Sequence, residues 1–369
     1  MSQTTSLTKS SHPILLMAGG TGGHVFPALA IAEALRAQGI NVCWLGTQRG
    51  LEARVVPAAN IDIKYISIAG IRGKGLLSLL AAPFKITLAI WQSVRVLRAV
   101  RPAAVVGMGG FVTGPGGVAA WLLRIPLLIH EQNAIAGLTN RWLARLASSV
   151  MEAFPNTFPK NYHAVHTGNP LRANIMALSP PIPRTVHSPL RVLIVGGSLG
   201  AKALNETVPF ALRQVPGAIE VWHQTGNAHI DAMHKAYDGA PFKARIMAFI
   251  EDMAAAYAWA DVVICRSGAI TVGELAQAGV ASILVPYPYA VDDHQTSNAQ
   301  FLSDNGAARL LPQTELTVDK LATLMTELHD NPSRLQSMSA AARNCATPEA
   351  LQQVVGLVIK SAYPGVGNG

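Results

Sequence analysis

His24 closes a glycine turn, Gly19-Gly20-Thr21-Gly22-Gly23, that follows the apolar run Pro13–Ala18. A neutral imidazole in such a place can take a proton near pH 7, as a general base does. Glu274 stands early in a helical stretch behind the turn Ser267-Gly268-Ala269. A carboxylate so placed can accept two hydrogen bonds from a ribose diol, and the backbone N–H groups of the turn suit a diphosphate. Ser198 offers a hydroxyl within a second glycine turn, Gly196-Gly197-Ser198-Leu199-Gly200-Ala201, after the apolar run Leu190–Val195. Arg172, in Gly168-Asn169-Pro170-Leu171-Arg172, can reach a phosphate or a sugar. Each has a plainer alternative: a packing histidine, a carboxylate matched to a helix N-terminus, a solvated arginine.

Metal chemistry finds little support. His130-Glu131-Gln132-Asn133 begins like H-E-x-x-H, but position 134 is Ala134, and no D-x-D occurs. The expectation is metal-independent chemistry without a cofactor, with leaving-group charge met by backbone dipoles and Arg or Ser. Neither glycine turn fits G-x-G-x-x-G or the G-x-x-x-x-G-K-[ST] loop, which weakens dinucleotide and ATP readings.

Both turns lie between an apolar strand and a helical stretch, a junction that aims free N–H groups and a helix dipole at the turn. Strands are expected at Ile14–Ala18, Ile40–Leu45, Lys64–Ile68, Ala104–Gly107 and Leu127–His130, with helices at Pro27–Gln38, Glu52–Ala58, Leu79–Val100, Gly116–Leu123 and Gly137–Ala147. The second half repeats this grammar, with strands at Val192–Val195, Glu220–Gln224, Ala244–Phe249, Val262–Cys265 and Ser282–Val285. Alternation of this kind implies two α/β domains, each a doubly wound parallel sheet that binds ligands at its strands' carboxyl ends. The proline-rich stretch Asn169–Pro189 reads as the linker. The expected domains are therefore residues 1–168 and 169–347, with one more helix at about 348–362 and a ligand held between the domains.

The 369 residues suffice for two cores, and three scattered cysteines favour a reducing compartment over a disulfide framework. Met1–Ser11 lacks the apolar core of a signal peptide. Val105–Leu123 is uncharged for 19 residues but contains six glycines and Pro115, so a strand, loop and helix are expected rather than a membrane span. The net charge of +8 is concentrated: Ile63–His130 holds eight Lys or Arg and no Asp or Glu. Within it, Leu76, Leu77, Leu79, Leu80 and Phe84 mix with Arg72, Lys74 and Lys85. Such a face suits anionic lipid headgroups, or is an ordinary amphipathic helix. Nucleic acid is not expected, because aromatics are few and no such motif occurs.

Gly19–Leu29, Gly107–Gly117, His130–Asn133, Gly168–Pro170 and Arg266–Glu274, in that order, resemble the MurG family of bacterial glycosyltransferases. The resemblance implies a GT-B fold of two Rossmann-like domains, the last helix crossing back to the first. It implies inverting transfer of GlcNAc from UDP-GlcNAc to the C4 hydroxyl of MurNAc in undecaprenyl-diphospho-MurNAc-pentapeptide, lipid I to lipid II, in peptidoglycan synthesis. It implies His24 as general base with Glu131 as helper, and Thr21, Gly22, Gly23 and Asn133 beside the transferred sugar. Arg172 and Ser198 match donor-binding positions, Ile250 the residue whose backbone reads uracil, and Gln295 the residue holding GlcNAc hydroxyls. Ala269, Ile270, Thr271, Val272, Gly273 and Glu274 match the diphosphate and ribose segment, and Gly109 and Gly110 the acceptor loop. It further implies peripheral attachment to anionic lipids at the cytoplasmic face of the inner membrane, with cell-wall synthesis proteins as partners. This chain departs from the family at Leu199, where Gln is usual, and at Gly273, where a small polar residue is common. A UDP-GlcNAc 2-epimerase of the same fold, or a non-catalytic nucleotide-sugar sensor at the membrane, is the alternative.

Overall fold

The computed structural model describes residues 12–68, 81–179, 188–197 and 199–364. Arg72, Lys74, Leu76, Leu77, Leu79, Leu80 and Ser198 lie outside the described residues. The chain divides into two compact units, residues 1–172 with 349–369, and residues 173–348. Asn169–Arg172 thus belongs with the first unit, so Arg172 is grouped with the N-terminal sheet rather than the second domain.

The first unit is built on a parallel sheet of β1 (Ile14–Met17), β2 (Val42–Gly46), β3 (Asp62–Tyr65), β4 (Ala104–Gly107), β5 (Leu127–Glu131), β6 (Ser149–Glu152) and β7 (Val165–His166), in the order β3-β2-β1-β4-β5-β6-β7. Every residue of β1 is buried, as a central parallel strand covered on both faces requires. Ile14 and Leu16 face one core with Trp44, Val106 and helix Gly22–Ala37. Leu15 and Met17 face the other, with Ala89 and Leu97 of helix Ala82–Val100 and Ala119 and Ala120 of helix Thr113–Leu122. The last helix, Ala350–Ala362, adds Val354, Val355 and Val358 to the first core, and the Tyr363 hydroxyl donates to the His12 carbonyl at 3.0 Å.

The second unit repeats the plan with β8 (Leu190–Val195), β9 (Ile219–Gln224), β10 (Lys243–Met247), β11 (Val262–Cys265), β12 (Ala281–Leu284) and β13 (Ala308–Leu310), in the order β10-β9-β8-β11-β12-β13. In each sheet the strand order reverses at its first strand, between β1 and β4 and between β8 and β11. Such switch points open a crevice at the carboxyl ends of the strands, and both glycine turns lie there.

Several elements differ from expectation. Strands β7 and β13 have two and three residues, too short for a periodic signal, and β6 has only Val150 and Met151 between Ser149 and Glu152. Helix Ile230–Tyr237, with Ile230, Met233 and Tyr237 along one face, is not among the expected helices. Helix Pro332–Asn344, which starts on Pro332 and buries Leu335, Met338 and Ala342, is likewise not among the expected helices. The first helix begins at Gly22 with Pro27 inside it, rather than at Pro27, which puts Gly22, Gly23 and His24 in its first turn. The uncharged stretch Val105–Leu123 is strand, loop and helix, and no helix among the described residues is long and apolar enough to cross a membrane.

Candidate active site

In the first unit, β1 runs into the turn at Gly19-Gly20, and Gly20 takes φ +92°, a conformation that favours glycine. The turn is held by Glu52, whose side chain is fully buried. Its carboxylate accepts from the Gly20 N–H at 3.0 Å, the Thr47 N–H at 3.0 Å and the Thr47 hydroxyl at 2.8 Å. The loop after β4 packs directly on this turn. A Cβ at Gly110, which has φ +84°, would stand 2.2 Å from the Gly19 carbonyl oxygen. Thr113 ties the same loop down by donating to the Gly109 carbonyl at 2.7 Å.

His24 stands against Gly109, where a Cβ would lie 2.7 Å from the ring Nδ1. That Nδ1 lies 2.9 Å from the Oε1 of Gln132. The Gln132 amide nitrogen meets the His130 carbonyl at 3.1 Å and the His130 Nδ1 at 3.0 Å. His130 Nε2 in turn lies 3.0 Å from the Gly168 carbonyl. His130 is entirely enclosed, and burial pushes its pKa down to about 4, so it is neutral at pH 7. The Nε2 of His24 makes no hydrogen bond among the described residues.

Glu131 is buried with both oxygens engaged. One accepts from the Asn133 N–H and side-chain amide at 3.0 and 3.1 Å; the other accepts from the Gly137 N–H and the Asn140 side chain at 3.0 and 2.9 Å. A carboxylate saturated by four donors organises the loop that carries Asn133 and is poorly placed to take a proton. Arg172 lies over the Phe26 ring, 5.9 Å from its centroid. Thr21 and Gly23 are exposed at the turn.

In the second unit an open cavity of about 630 Å³ lies at the carboxyl ends of β8 and β11, within the usual size range for small-molecule sites. Gly196, Gly197, Gly200 and Ala201 form one wall, and Gly268 and Thr271 another, with Arg266, Tyr287 and Gln295 around them. Gln224 clamps the glycine turn from below: its Oε1 accepts from the Gly197 N–H at 3.1 Å, and its Nε2 donates to the Gly197 carbonyl at 2.7 Å. Arg266 donates to the carbonyls of Val285 and Pro286, both at 3.1 Å, and stacks on Tyr287. Gln295 Oε1 accepts from the Tyr287 N–H at 2.9 Å, which leaves its amide nitrogen as a donor.

Thr271 and Gln295 therefore line this cavity, together with Gly268 before the helix Ala269–Ala278. Ala269 and Val272 point into the core, and Ile270 and Gly273 are half-buried. Glu274 is buried behind the cavity wall and accepts from the Tyr257 hydroxyl at 3.0 Å. Ile250 has a buried side chain and does not line the cavity. Glu52, Gln224, Arg266 and the pair Gln132–His130 had no assigned role in the sequence reading. Only their position beside a glycine turn or within a motif could have drawn attention to them. Gly196–Gly200 also spells the G-x-S-x-G pattern of a hydrolase elbow, but no histidine among the described residues lines the cavity.

Two Rossmann-like units with glycine turns at their switch points are the GT-B glycosyltransferase fold. A family model described as "Glycosyltransferase family 28 N-terminal domain" matches residues 14–152, and "Glycosyltransferase family 28 C-terminal domain" matches residues 191–354. A protein of Alkalilimnicola ehrlichii, named UDP-N-acetylglucosamine--N-acetylmuramyl-(pentapeptide) pyrophosphoryl-undecaprenol N-acetylglucosamine transferase, is 53% identical over 95% of this chain and 99% of its own. The crystal structure of Acinetobacter baumannii MurG superposes with a TM-score of 0.83 at 47% identity, covering 95% of this chain and 99% of that one. A UDP-GlcNAc 2-epimerase from Neisseria meningitidis shares the fold alone, with a TM-score of 0.64 at 13% identity over 94% of this chain and all of that one. The chain belongs to the MurG family of glycosyltransferases.

Proposed function

We propose that this chain transfers GlcNAc from UDP-GlcNAc to the C4 hydroxyl of MurNAc in undecaprenyl-diphospho-MurNAc-pentapeptide, converting lipid I to lipid II. The observation that carries the reading is 53% identity to a transferase of that name over nearly the whole chain. The second unit's cavity would hold UDP-GlcNAc, with N–H groups at the start of the helix Ala269–Ala278 on the phosphates. Glu274, one of whose oxygens accepts from the Tyr257 hydroxyl, would accept from the ribose hydroxyls. Gln295 would donate to a sugar hydroxyl. On the first unit, His24 Nε2 removes the acceptor's hydroxyl proton as that oxygen bonds to the anomeric carbon. The bond from that carbon to the β-phosphate oxygen breaks, and UDP leaves with the electron pair, inverting the configuration. Thr21, Gly22, Gly23 and Asn133 border the transferred sugar, Gly109 and Gly110 the acceptor diphosphate, and Arg172 the donor. Glu131 serves by holding Asn133.

Helix Ala82–Val100 supports a peripheral membrane position for this reaction. Phe84 is 75% and Trp91 53% exposed, beside exposed Lys85 and Arg95, and no acidic residue occurs from Ile63 to His130. This face would dock on anionic lipid at the cytoplasmic side of the inner membrane.

The test is incubation with UDP-GlcNAc and a short-chain lipid I analogue in EDTA, measuring UDP and disaccharide. Acceptor-dependent UDP release with a β-1,4 product is expected. Release without acceptor would point to an epimerase or hydrolase, and donor binding without turnover to a sensor.

A further inference from the structure

We propose that Gln132 is a positioning residue that fixes His24 as the Nδ1–H tautomer, leaving Nε2 to receive the acceptor's proton, and that His130 orients Gln132. The proposal rests on the reading of His24 as the base.

The assignment follows from groups that have no choice. A backbone carbonyl can only accept, so the His130 nitrogen 3.0 Å from the Gly168 carbonyl, Nε2, carries a hydrogen. His130 is neutral in its enclosed site, so its Nδ1 is a lone pair. The nearby Gln132 atom meets two acceptors, that lone pair at 3.0 Å and the His130 carbonyl at 3.1 Å. It must therefore be the amide nitrogen, with both its hydrogens used. Gln132 Oε1 is then turned to His24 Nδ1 at 2.9 Å, and an amide oxygen can only accept. His24 Nδ1 must donate.

Rigidity supports the chain of bonds. Gln132 and His130 are both buried, and the Asn169 side chain donates to the Gln132 carbonyl at 3.1 Å. The missing side chain of Gly109 leaves room for the imidazole, since a Cβ would collide with Nδ1. Free neutral imidazole side chains favour hydrogen on Nε2, the form that cannot accept a proton there. A protein that needs Nε2 as base gains by holding Nδ1–H.

The experiment uses full-length protein with 15N-labelled histidine and long-range 1H–15N correlation at pH 8, with His24→Gln identifying the His24 signals. The expected result is a pyridine-type Nε2 and a pyrrole-type Nδ1 in the wild type. In Gln132→Met, Nε2–H becomes the main form. The kcat then falls about tenfold or more while the KM for UDP-GlcNAc stays within about twofold, because geometry at the donor is untouched. An Nε2–H wild type overturns the proposal without reference to any variant. An unchanged tautomer in Gln132→Met overturns it too. The two readings fail separately: full turnover in His24→Gln defeats the base assignment, whereas the spectra judge the tautomer.

Discussion

Glu52 offers the sharpest test of how the first glycine turn is built. No cation pairs with it among the described residues, so its charge is met by three donors: Gly20 N–H, Thr47 N–H and the Thr47 hydroxyl. In Glu52→Ala the hydroxyl can rotate to another partner, but the two backbone donors stay fixed. Both donors are part-buried, so each left unsatisfied costs about 1–2 kcal/mol. The one lost methylene adds about 0.8 kcal/mol, and relief from burying a carboxylate offsets part of the sum. The net expectation is a loss of about 3 kcal/mol from the first unit. Glu52→Gln keeps the volume and one acceptor but turns an NH₂ toward a donor, for a loss of about 2 kcal/mol. Native-state hydrogen exchange resolves this by region: Gly20, Thr47 and β1–β2 amides should lose protection in that order of severity, while β8–β12 amides keep theirs. If Glu52→Gln left Gly20 protection within about 0.5 kcal/mol of wild type, the carboxylate would not be what holds the turn.

Other outcomes follow from the same geometry. Gly110→Ala, at φ +84° and 2.2 Å from the Gly19 oxygen, should cost about 3 kcal/mol or prevent soluble folding, read by urea unfolding. Gln224→Leu should weaken UDP-GlcNAc binding about tenfold by calorimetry, because the Gly197 turn loses its clamp. Stability should fall in acid, because burial lowers His130 to about 4 and His223 to about 3 from 6.5, so below pH 6.5 the unfolded chain takes up protons the fold refuses. The loss is about 1.4 kcal/mol per pH unit for each histidine down to about pH 4, while stability above pH 6.5 is unaffected by them; a flat thermal-unfolding profile from pH 7 to 5 would contradict it. Phe84→Glu with Trp91→Glu should abolish salt-sensitive flotation on anionic vesicles yet spare turnover of a soluble acceptor; retained flotation would remove this helix from the docking face.

Much of the fold was legible because its signals are local. Ile14–Met17, Val262–Cys265 and the helix Glu52–Ala58 declare themselves by apolar runs and helical spacing, and the two glycine turns mark the switch points before any coordinates are known. The edge strands Val165–His166 and Ala308–Leu310 did not, because two or three residues make no period, and Ser149–Glu152 has only Val150 and Met151 as an apolar run.

The site divides in the same way. By itself the sequence determined the two βα turns, the placing of His24 beside one of them, the concentration of positive charge in Ile63–His130 and the family. Only the tertiary structure decided what holds these groups. Glu52 meets Gly20 from 32 residues away, Gln224 meets Gly197 from 27, and Gln132 meets His24 from 108. It also brought the Glu131 carboxylate under four donors from Asn133, Gly137 and Asn140. The reason is physical: a run of residues specifies its backbone through contacts within a few positions. A buried polar atom, by contrast, must bond to whichever donor or acceptor the folded chain brings beside it.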